Sequence, residues 1–80
     1  MKEVNKMQAW QTERIAENLA LLLNDEGLRR PPTTMEICDM AAETFGEDFV
    51  KKMEPVDVQI IQLITIANFR AIQEAEREGS

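Results

Sequence analysis

The sequence predicts an all-α fold, a small bundle of three main helices joined through a short helical or irregular link. Three observations predict it. Apolar residues recur at helical spacing over two long stretches, residues 4–24 and 55–77. Thr33-Thr34-Met35-Glu36 has the spacing of a helix-opening capping box. Glycine and proline punctuate the chain at Gly27 to Pro32, at Gly46 and at Pro55, which separates the helical stretches from one another.

The first helix is expected over 4–24. Val4, Ile15, Ala16, Leu19, Leu22 and Leu23 share one broad face, and Lys6, Glu13, Glu17 and Asn24 lie opposite. A thinner apolar patch carries Met7, Trp10 and Leu21. Asn24-Asp25-Glu26-Gly27 supplies turn formers and a glycine able to take positive φ. Leu28-Arg29-Arg30-Pro31-Pro32 cannot continue a helix, because consecutive prolines lack donors and push each preceding residue toward extended geometry.

The second helix opens at the Thr33/Glu36 box and runs over 34–45. It exposes Glu36, Asp39 and Glu43 and has Met35, Ile37, Cys38, Ala41, Ala42 and Phe45 available for burial. Residues 46–53 form the link. The last segment, from Glu54 to Ile61, is rich in β-branched residues and alternates, so a strand over 56–66 competes with a helix. Pro55 suits a first helical turn, where its missing N–H costs nothing, and Asp57 suits the positive end of a helix dipole. A helix over 55–77 is therefore expected. One of its faces holds Val56, Ile60, Leu63, Ile64, Ala67 and Ala71, the other Val58, Ile61, Phe69 and Ile72. A helix apolar on two sides is either central or shared between subunits. The first face is read as the core, and Val58, Ile61, Phe69 and Ile72 are read as the seam of a homodimer.

Eighty residues make one domain, 1–80, with one small core. Burial on folding contributes about 125 kcal/mol and ordering the chain costs about 120 kcal/mol, so a second copy supplying more buried surface fits the arithmetic. Nucleotide-binding α/β domains, multi-domain enzymes and multi-repeat solenoids are excluded by length.

There is no histidine, which removes the commonest general base and metal ligand. A single cysteine, Cys38, forbids an internal disulfide, a four-cysteine zinc site and a CxxC pair. It reads as a small buried hydrophobe. No apolar run exceeds Leu19 to Leu23, and charged residues interrupt the N-terminal stretch, so neither a membrane span nor a signal peptide is expected. A cytoplasmic protein is the expectation.

Net charge is −6, with five basic and seven acidic residues in 1–40 and four and eight in 41–80. That disfavours phosphate-driven nucleic-acid binding, because the longest basic runs are the pairs Arg29-Arg30 and Lys51-Lys52. The expected function is non-catalytic: an adaptor, inhibitor or regulatory subunit acting through a protein partner. Trp10, Met7, Arg14, Arg29 and Arg30 are the candidate contact residues, since Trp, Arg and Met are enriched at binding hot spots. No catalytic residue, cofactor or metal ligand is expected.

Two alternatives stand beside this reading. Ala42-x-x-x-Gly46 within 33–53 resembles a degenerate helix-turn-helix, although Glu47-Asp48 would set acids against phosphate. Glu36-x-x-Asp39-x-x-x-Glu43 and Glu54-x-x-Asp57 have spacings that can hold Mg²⁺ in a nucleotide hydrolase when a facing helix brings further acids.

Overall fold

In the computed structural model, which describes residues 7–79, α1 spans Ala9–Glu26, α2 Thr34–Phe45, α3 Glu47–Lys51 and α4 Pro55–Glu78. No strand occurs among the described residues, so the chain is all-α and 56–66 is helical. The link contains a five-residue helix. The expected start of the first helix at Val4 lies outside the described residues. Met7 and Gln8 precede the helix, and Gln8 is its N-cap, with its backbone N–H donating to Gln11 Oε1 at 2.8 Å.

Helix ends follow their local chemistry. After α1, Gly27 takes φ 71°, the Gly27 N–H donates to the Asn24 carbonyl and the Leu28 N–H donates to that of Leu23. This is the Schellman arrangement, and it satisfies carbonyls that the helix end would otherwise orphan. At the start of α2 the capping box is complete: Glu36 N–H donates to Thr33 Oγ1 at 3.1 Å, and Thr33 N–H donates to Glu36 Oε1 at 2.8 Å. At the start of α4, Pro55 occupies the first turn and the Glu54 N–H donates to Asp57 Oδ2 at 2.9 Å. Gly46, between α2 and α3, has φ 98° and ψ 165°, a backbone region open essentially to glycine alone.

The main helix pairing is α1 with α4, and their C-terminal ends lie together, as Asn24 Nδ2 donating to Glu76 Oε2 at 3.0 Å shows. Helix α2 runs back across them. Its start is tied to α4 where Gln62 Nε2 donates to the Pro32 carbonyl at 3.0 Å, and its end meets the start of α1 where Phe45 packs edge-on against Trp10. Ile15, Ala16 and Leu19 of α1, Ile37 and Ala41 of α2 and Ile61 of α4 form the core. Met40, Phe45, Phe49, Val50, Met53, Val58 and Ile64 pack around it. Small residues at buried positions, Ala16, Ala20 and Ala41, let the helices approach closely.

The orientation of α4 reverses the sequence reading. Ile61 is 0% exposed, so it has no surface left for a second subunit, and Thr65 beside it is also enclosed. Thr65 tolerates burial because its Oγ1 donates to the Ile61 carbonyl one turn back. Val58, Phe69 and Ile72 are half-buried flanks of this inner face. The expected seam of Val58, Ile61, Phe69 and Ile72 is therefore the packed side of α4. Of the residues read as core, Ile64 packs against it, but most of the others point outward: Val56 is 52%, Ile60 41% and Leu63 66% exposed. The physical reason is Thr65, which periodicity scores as polar although it can satisfy its hydroxyl inside the helix.

Candidate functional site

The five candidate contact residues do not form one patch. Trp10 sits at the N-terminal end of α1, 54% exposed, its ring centroid 5.5 Å from that of Phe45 at 78°. Phe45 stacks on Phe49 at 4.8 Å, so an aromatic cluster closes this end of the bundle. Met7 is half-buried and Arg14 exposed. Arg29 and Arg30 follow the other end of α1, about 27 Å away by helical rise.

Arg30 is held within its own loop. Its Nη1 donates to Glu36 Oε1 at 2.9 Å and its Nη2 to Glu36 Oε2 at 2.8 Å, a bidentate pair, and Nη1 also reaches the Pro31 carbonyl at 3.2 Å. These Arg30 hydrogen bonds, followed by the Thr33 N–H bond, hold the Glu36 carboxyl down at about 2, from 4.5. Glu36 in turn raises the guanidinium above its ordinary value. One carboxylate thus caps α2 and fixes the projecting loop, while Pro32 beneath it is fully buried. The sequence marks both parts of this arrangement but not their union.

The acidic helix face does not gather into a chelating cluster: no group of three carboxylates or thiols is placed to hold a metal among the described residues. Glu36 is already engaged by Arg30. Cys38 is half-buried rather than enclosed. In the helix-turn-helix register the second helix would be α3, only five residues long. Lys51 and Lys52 precede the start of α4, whereas Arg29 and Arg30 line a groove with Thr65 to Gln73, so the two basic pairs sit toward opposite ends of that helix.

Two surfaces bear on binding. One is the outward stripe of α4, where Val56, Ile60, Leu63 and Ala67 follow each other at intervals of four, three and four residues. The other is a groove of about 290 Å³ between the Arg29–Pro32 loop and α4. Arg70, missed as a site residue, lines it. The signal was present in the sequence, since Gln62, Arg70, Gln73 and Arg77 share one sector of α4. Comparison with protein-family models, curated proteins and solved structures returns no match for this chain. No described helix is long and apolar enough to cross a membrane.

Proposed function

We propose that this chain is a non-catalytic interaction protein, an adaptor, inhibitor or regulatory subunit, that works as a homodimer paired along the outward stripe of α4. The observation that carries this is the exposure of Val56, Ile60 and Leu63, at 52, 41 and 66%, on one face of a 24-residue helix. Spacings of four and three residues are those of a helix–helix seam. A contiguous apolar stripe of this kind marks a surface that another surface covers.

A second copy suits it because the stripe is self-complementary. Antiparallel pairing centred between residues 61 and 62 sets Ile60 against Leu63 of the other copy and Val56 against Ala67, large against small at the ends. Parallel pairing instead brings Glu74, the continuation of the same stripe, against its own copy, and like charges in register are destabilising. The acidic outer surfaces, Trp10, Met7 and Arg14 at one end, and Arg29 beside the Glu36-bound Arg30 at the other, then lie outside the seam and are open to a different protein.

Cysteine cross-linking tests the seam. In a Cys38→Ser background, Ile60→Cys and Leu63→Cys chains should cross-link efficiently when mixed and poorly when separate. Cross-linking of each chain only with itself contradicts the antiparallel seam, and none in any mixture contradicts the dimer. Steep loss of DNA affinity with salt would favour the helix-turn-helix alternative. Turnover dependent on Mg²⁺ and lost in Asp39→Asn would favour the hydrolase.

A further inference from the structure

Four of the five arginines in a chain of net charge −6 line one corner of the molecule. Arg29, Arg30 and Arg70 border the groove of about 290 Å³, and Arg29 and Gln73 continue into an adjoining depression with Arg77. Arg30 is ion-paired with Glu36, whereas Arg29, Arg70 and Arg77 form no ion pair with another described residue. Glu76 also borders the adjoining depression and accepts a hydrogen bond from Asn24. Beside Thr65 and Gln73, the groove's lining is apolar, with Leu23 from α1 and Ile66 and Phe69 from α4. Buried Pro32, held by Gln62, fixes the loop that closes it.

We infer that this groove binds the C-terminal end of a partner polypeptide whose last residue is aromatic or aliphatic, the carboxylate meeting Arg29 and Arg70 and the side chain resting on Leu23, Ile66 and Phe69. Guanidinium groups present paired donors that match a carboxylate. A free phosphate would use the arginines and leave the apolar walls unused. The cavity is near the lower end of ligand-site volumes, which suits one side chain with its carboxylate. Concentrating arginines at one corner of a chain of net negative charge gives an acidic chain terminus a favoured place to dock. The inference rests on the interaction-protein reading and specifies the partner's chemistry.

The test is fluorescence anisotropy with a labelled hexapeptide ending in Leu-Phe with a free carboxylate, alongside its C-terminal amide and inorganic phosphate as a competitor. The free acid should bind at least about tenfold tighter than the amide, a ratio worth about 1.4 kcal/mol. Arg29→Gln should weaken the acid by a similar factor, whereas Lys52→Gln, at the exposed end of α3, should leave it unchanged. Equal binding of acid and amide, no binding of either, insensitivity to Arg29→Gln, or displacement by phosphate at equal concentration would each overturn the inference. The titration is repeated in Val56→Glu, which lies about 21 Å along α4 from Arg70. Binding retained there while the dimer is lost supports the groove. Binding lost in both forms with the dimer intact overturns the groove alone.

Discussion

Ile61 and Leu63 stand two residues apart on α4 and face opposite ways, so alanine at each position weighs the two faces against each other. Ile61 is 0% exposed and sits among Ile15, Leu19 and Ile37, and replacing it with alanine leaves a cavity the helices cannot fully close. The expected cost is about 2–5 kcal/mol. Eighty residues at typical specific stability hold about 4–12 kcal/mol in all. Ile61→Ala should therefore remove a large share of the stability and lower Tm by on the order of 10–30 °C. Leu63 is 66% exposed, so truncation removes little buried surface and should cost about 0.5–1 kcal/mol. Urea unfolding followed by far-UV circular dichroism, at a protein concentration low enough for the monomer, measures both. Equal costs, or a larger cost at Leu63, would refute the assignment of the inner face.

Thr33→Ala should cost about 1 kcal/mol, seen as a lower urea midpoint with an unchanged slope, because it removes the acceptor for the Glu36 N–H. Gly46→Ala should cost about 1–3 kcal/mol in the same assay, since φ 98° with ψ 165° is closed to a Cβ-bearing residue. Because the Glu36 carboxyl is held at about 2 rather than 4.5, its contribution is fully present above about pH 4.5 and is lost as pH falls toward 2. Glu36→Gln should flatten that part of the acid titration of stability. The effect should be small and should shrink with salt where it comes from the Arg30 pair, whose side chains are 44% and 32% exposed.

The fold was legible where the chain carries local chemistry. Thr33 and Glu36 announce a capping box, Gly27 a left-handed helix stop and Pro55 a first turn, and each does what its covalent structure allows. The facing of α4 was not legible in the same way. Both sides of that helix are apolar, and the side that turned inward carries Thr65 at its centre, whose hydroxyl is satisfied only by a carbonyl four residues back. The contact residues were legible by type and not by place. Trp10 and Arg29 look alike as hot-spot candidates in sequence, yet α1 holds them at opposite ends of the bundle. Arg70 joined Arg29 only once the Pro31-Pro32 loop was laid along α4.

Sedimentation equilibrium of the wild-type chain beside Leu63→Glu tests the central claim most directly, that the outward stripe of α4 is a seam between copies. The exposed position tolerates the charge in a single chain, so helical content should match in the two proteins. The wild type should approach twice the 9.2 kDa chain mass at tens of micromolar, while Leu63→Glu stays at that of one chain. A wild type at 9.2 kDa under those conditions, or a variant that still doubles, would contradict it.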